Sequence, residues 1–153
     1  MREGLYFEDF VAGRTYTTEK RTITETDLVN FVTHCAMFEP LFMDTGYVEN
    51  ETHYGRKIAP GLLTLSFSEG LVLLTGILKN RGIAFLGMKM EIKRPVYVGD
   101  AIYVEVDVVD KRETKKNDRG VITFRHRIRN QDNDLVMECE MKRMIKRRVG
   151  EGI

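Results

Sequence analysis

The segment 61–78 constrains the fold more than any other part of this chain. Leu62, Leu63, Leu65, Phe67, Leu71, Val72, Leu73, Leu74, Ile77 and Leu78 point almost all the way round a helix axis. A helix that is apolar all round must be buried on most of its sides. Pro60 suits its start, because the missing N–H would find no partner in a first turn. The expected helix therefore runs over about 60–78. The cover follows directly. Residues 83–98, 100–113, 121–130 and 134–148 alternate with the period of two that marks half-buried strands. In the last of these Leu135, Met137, Cys139 and Met141 share one face. Gly99-Asp100, the polar stretch 115–120 and Asp132-Asn133 supply the turns. With a further strand near 14–21, the pattern predicts one α+β domain over 1–153. Its form is a curved antiparallel sheet wrapped around a central buried helix.

The first half of the chain is helical and loop-rich. Thr24 is a good N-cap, and Asp27 stands three positions on, where a carboxylate meets free backbone N–H groups. Leu28, Phe31, Val32 and Cys35 then recur at helical spacing. Glu39-Pro40 is expected to end this helix, since the residue before proline is pushed out of the α region. Residues 39–59 read as irregular, with one short helical turn near 44–48.

Composition excludes several classes. Lys+Arg 24 against Asp+Glu 23 leaves a net charge of +1, with no general field for nucleic acid or an anionic membrane. The basic tail, Lys142-Arg143 and 146–148, lacks the exposed aromatics that single-strand binding uses and reads as a solvated strand end. The N-terminal MREGLYFEDF has no apolar stretch of the signal-peptide kind. Segment 61–78 carries Glu69 and several hydroxyls, where a bilayer core asks for ~20 mostly apolar residues. Cys35 and Cys139 have no neighbours at metal-ligand spacing and read as reduced, mostly buried thiols of a cytoplasmic protein.

A set of short motifs then stands in order along nearly the whole chain. They are Tyr6-Phe7-Glu8-Asp9-Phe10 with Gly13, Thr22-Ile23-Thr24-Glu25 with Asp27, and Gly55-Arg56 with Ile58-Ala59-Pro60-Gly61-Leu62-Leu63-Thr64. Ile83-Ala84-Phe85-Leu86-Gly87, Pro95-Val96 and Gly99-Asp100 follow. In this order they resemble the MaoC-like family of (R)-specific enoyl-CoA hydratases and related dehydratases, which have the hotdog fold. The resemblance implies an acyl-CoA or acyl-carrier-protein thioester as substrate. It implies no cofactor beyond the coenzyme A or phosphopantetheine that belongs to the substrate. It also implies a homodimer or higher assembly with acyl sites at the seam. The family's hydratase signature, Gly-Asp-x-Asn-Pro-(Leu/Ile)-His-x-Asp, falls on 36–44, where Pro40, Leu41 and Asp44 fit. Met37 stands at its catalytic aspartate and Phe42 at its catalytic histidine. Neither side chain exchanges a proton at neutral pH. Gly61, with Leu62, matches the helix start whose N–H groups hold the thioester oxygen. Arg56 and Lys57 suit the phosphates of coenzyme A, or are ordinary loop cations.

Other groups compete for the missing acid–base role. Glu39, if buried against Phe38, Phe42 and Met43, would titrate near neutrality as a base; otherwise it is a solvated loop carboxylate. His53, in His53-Tyr54-Gly55-Arg56, resembles a histidine of the related β-hydroxyacyl carrier-protein dehydratases, or is a surface histidine. Glu69 is either a helix carboxylate acting as nucleophile or base, as in some hotdog thioesterases, or part of a polar stripe with Thr64, Ser66 and Ser68. His34 reads as structural or exposed, and His126 as an outward strand residue. Met37, Phe38, Phe42 and Met43 either line an acyl tunnel or pack as core.

Three functions are therefore expected. The first is a MaoC-like hydratase or dehydratase with an atypical dyad, drawing on Glu39 and His53. The second is a non-catalytic acyl-thioester-binding subunit beside a catalytic MaoC-like chain. The third is a thioesterase using Glu69.

Overall fold

The structure, a computed structural model, describes residues 3–149; the outermost ends of the expected domain lie outside them. A 3-10 turn at Phe7–Asp9 leads into β1 (Thr15–Thr17), β2 (Arg21–Thr22), α1 (Glu25–His34), α2 (Pro40–Met43), α3 (Thr45–Glu51) and α4 (Gly61–Leu74). Four long strands follow: β3 (Gly82–Ile92), β4 (Ala101–Glu113), β5 (Arg119–Arg129) and β6 (Leu135–Lys146). The sheet order is β1-β4-β5-β6-β3, all antiparallel, with β2 also on β4. Strand β3 is thus an edge.

Register explains which residues meet α4. On the inner face one cross-sheet row runs Val104, Ile128, Met137 and Ile92. The next runs Val106, His126, Cys139 and Met90, and a third runs Val108, Phe124, Met141 and Met88. Leu63, Leu71 and Val72 of α4 join that core, together with Phe7 and Phe10, near the end of β4, and Ile23, which bonds beside its start. The outer face is a charge lattice. Arg127 Nε donates to Asp107 at 2.8 Å, and Arg129 Nε to Glu105 at 2.7 Å.

Several expectations need correction. The capping box at Thr24 forms as expected, with Asp27 N–H donating to Thr24 Oγ1 at 3.1 Å and Thr24 N–H to Asp27 Oδ2 at 2.9 Å. But α1 does not run to Glu39-Pro40. Met37 N–H reaches Val32 O at 2.9 Å and Ala36 N–H reaches Thr33 O at 3.3 Å. That is the bond pattern of a Schellman ending, with Ala36 rather than glycine in the left-handed position at φ 53°. Pro40 instead opens α2 as its first residue. Helix α4 stops at Leu74, where Gly76 takes φ 77°. Strand β3 ends at Ile92 because Arg94-Pro95 follows, and proline has no N–H for the ladder.

Burial also departs from expectation. Leu62 is 52 % exposed and Leu74 84 %, with Leu73 exposed between them. The sheet covers one side of α4 and leaves this other side open. Thr64 and Ser68 are buried against the sheet while Ser66 is exposed, so they form no common polar stripe with Glu69. Cys139 is buried as expected; Cys35, at the end of α1, is exposed. Among the described residues no helix is long and apolar enough to cross a membrane.

Candidate functional site

The first N–H groups of any helix lack an intrahelical partner. At the start of α4, Leu63 and Thr64 N–H reach back to Pro60 O at 3.0 and 3.2 Å, and no side chain caps the end. The Gly61 and Leu62 amides are left for an external acceptor, at the positive end of a 14-residue helix. A Cβ at position 61 would lie 2.6 Å from Ile92 Cδ1, so a larger residue there would push the exposed Ile92 side chain aside. The helix start opens into a cleft of about 280 Å³, lined among others by Phe42, His53, Gly61, Thr64, Lys93 and Arg94. The Thr64 hydroxyl is buried in it without a hydrogen-bond partner. Among the described residues no carboxylate lines the cleft.

Of the residues singled out in the sequence, Phe42, His53 and Gly61 come together at this cleft. Leu62 begins the exposed side of α4. Met37 is half-buried, and Glu39 is exposed in front of α2 rather than buried against Phe38, Phe42 and Met43. The His53 ring lies 4.1 Å from the Tyr54 ring. Arg56 and Lys57 are engaged elsewhere: the Arg56 guanidinium sits 4.0 Å over the Tyr97 ring, and Lys57 pairs with Glu25. Lys93 and Arg94 are the cations that line the cleft. Lys93 pairs with Glu91, whereas Arg94, 63 % exposed, has only a 3.4 Å contact to Asp134. Sequence reasoning missed both, although they directly precede the Pro95-Val96 motif.

A second polar group lies midway along α4. His126 is not outward: it is 1 % exposed, and its Nδ1 lies 3.3 Å from Glu69 Oε1. That approach lacks hydrogen-bond alignment, and both atoms are buried without a partner. Arg143 from β6 pairs with the other Glu69 oxygen. Burial would raise the Glu69 pKa, but the adjoining imidazole and guanidinium outweigh it and hold the carboxyl below its ordinary value. Cys139, across from His126, is pushed up to about 11 by its own burial and then by the charges of Glu69 and Glu138. Its thiol stays protonated at neutral pH and is no nucleophile.

A depressed folded-state pKa contributes stability that is present above the unfolded value, ~4.3 for Glu, and lost as pH falls through the folded value. Glu69→Gln is therefore expected to flatten the acid limb of stability. The groups facing position 69 are His126, Arg143 and the neutral Cys139. Urea midpoints between pH 7 and pH 3 check this, and an unchanged acid limb would refute it.

The sheet cradling α4 is the hotdog arrangement. Residues 9–128 match the family model described as MaoC like domain, and the chain belongs to this family of hydratases and dehydratases. The chain is 34 % identical over 103 residues to the (R)-specific enoyl-CoA hydratase of Aeromonas caviae, covering 67 % of this chain and 72 % of that one. It is 30 % identical over 144 residues to protein YdeM of Bacillus subtilis, covering 92 % and 98 %. Among solved structures, a monoamine oxidase regulatory protein from Archaeoglobus fulgidus matches with a TM-score of 0.89 and 32 % identity, over 97 % and 98 % of the chains.

Proposed function

We propose that the protein binds acyl thioesters of the coenzyme A type in the cleft at the start of α4. The observation that carries this is an uncapped helix N-terminus opening into a cleft without a carboxylate. A thioester carbonyl accepts hydrogen bonds from the Gly61 end of α4, where the helix dipole favours developing negative charge. The free Thr64 hydroxyl supplies a further polar contact inside, and Arg94 and Lys93 meet phosphates at the rim.

Hydrating an enoyl thioester needs a base for water and an acid for the alpha carbon. By the resemblance, Met37 and Phe42 take the family's positions for that pair, and Glu39 lies outside the cleft lining. The site is thus a MaoC-like acyl site in which binding outlasts acid–base chemistry, as in the binding subunit of a two-chain dehydratase. One observation favours a second reading, slow hydration: His53 lines the cleft. Glu69 as a thioesterase nucleophile is disfavoured. It stands eight residues beyond Gly61 in the sequence, about 12 Å at 1.5 Å per residue, and is held by two partners.

The partner is a second copy or a related chain, paired along β3. This edge exposes Ile83, Phe85, Leu86, Met88 and Ile92 beside the open side of α4. An uncovered apolar edge of that kind is otherwise an aggregation hazard.

Calorimetric titration with butyryl-CoA, beside loss of enoyl absorbance with crotonyl-CoA, tests the proposal. Binding with no measurable turnover is the expected result. Turnover abolished by His53→Ala supports the second reading instead. Absence of binding by either thioester overturns both.

A further inference from the structure

From the cleft, an apolar strip runs along the flank of α4 towards the Glu69 cluster. Strands β3 and β6 present Ile92 opposite Met137, then Met90 opposite Cys139, then Met88 opposite Met141. On the helix side stand Leu62, exposed at the start, and Leu65, half-buried one turn on. The next inward pair breaks the strip, because Phe85 lies opposite Arg143 and Arg143 pairs with Glu69. An acyl chain whose carbonyl sits at Gly61 would lie along this strip and meet charge at its far end, about 12 Å on.

That end is incompletely satisfied. Glu69 Oε1, His126 Nδ1 and Arg143 Nε are all buried without a hydrogen-bond partner. His126 is a 1 % exposed imidazole aimed at the carboxylate. Buried polar groups are ordinarily paired, and leaving them unpaired is costly. Glu69 offers an acceptor, Arg143 Nε–H a donor, and Nδ1 a hydrogen-bonding position in either tautomer. A hydroxyl, donor and acceptor at once, completes this set. A methyl end would strip water from the ion pair and return nothing.

We propose that Glu69, His126 and Arg143 form the distal wall of the acyl site and select acyl groups bearing a terminal hydroxyl over plain alkyl chains of equal length. This rests on the acyl-thioester function proposed above and names its substrate class. Glu69 is here a specificity residue, with His126 and Arg143 positioning and neutralising it.

The test is calorimetry of the full chain with butyryl-CoA, octanoyl-CoA and 8-hydroxyoctanoyl-CoA, eight carbons and a hydrogen bond being what spans about 12 Å. The hydroxylated thioester is expected to bind about tenfold or more tightly than octanoyl-CoA, the size of one hydrogen bond to a charged group. Glu69→Leu with Arg143→Met removes both charges together and is expected to abolish or reverse that preference. His126→Phe, which keeps a planar ring, is expected to reduce it, and thermal melting verifies that each variant folds. Equal binding of the two eight-carbon thioesters by the natural chain overturns the proposal. So does a preference that survives both variants, which is the result if the cluster serves stability alone. If butyryl-CoA binds without any discrimination between the longer two, only this inference falls; if none of the three binds, the acyl-thioester function falls with it.

Discussion

Met37→Asp combined with Phe42→His is expected to raise crotonyl-CoA hydration by about 10²–10⁴-fold, the usual contribution of positioned proton transfer. The two positions stand five residues apart, Met37 closing the α1 ending and Phe42 within α2. Phe42 already lines the cleft, so an imidazole there faces the bound acyl group, while the half-buried Met37 gives a carboxylate a partly desolvated place. Neither single substitution is expected to give the full gain, because a base without its partner leaves one proton unassigned. The gain should fall away below about pH 6.5, where a free imidazole becomes protonated. Loss of enoyl absorbance measures it, with butyryl-CoA binding as the control. A double variant that still binds and gains nothing would show that these positions do not bear the family's dyad in this chain.

Phe124→Ala is expected to cost about 3–5 kcal/mol, the range for truncating a buried aromatic ring. Phe124 is fully enclosed, with the Phe10 ring edge-on at 5.4 Å and Met141 directly across the sheet. It joins the N-terminal segment to the sheet, so its loss loosens both. For a chain of this size the drop corresponds to roughly 6–20 °C in Tm. A shifted urea midpoint with unchanged slope checks it. A loss below about 1 kcal/mol would mean that Phe10 and Met141 collapse into the cavity.

The sequence made the strands and the central helix legible because their signals are local and repeated. Period-two alternation marked all four long strands to within a few residues, except for the C-terminal end of β3, and the Thr24–Asp27 pair marked the start of α1. The end of α1 was hidden because alanine occupies a position where glycine would have advertised the turn. His126 was misjudged for its polarity, yet its parity was readable. It shares alternation with Phe124 and Ile128, as Arg143 does with Met141, and that alone places both against α4. The site was less legible. The Arg56 guanidinium is occupied by Tyr97 and the Lys57 ammonium by Glu25, partners far away in sequence, and no local pattern announces either. Exposure of Glu39 follows from the α1 ending, which again turned on Ala36.

The sheet order bears on how the chain acquires its shape during synthesis. Strand β3 is the first of the four long strands to emerge from the ribosome, but its neighbour in the sheet, among the described residues, is β6, the last of them. Until residues 135–146 have been made, the Met-rich inner face of β3 has no strand to hold it. Such long-range pairing slows folding and prolongs exposure of sticky segments. Chains truncated before β6 should therefore need chaperone protection, and the full sheet forms only after translation of its final strand.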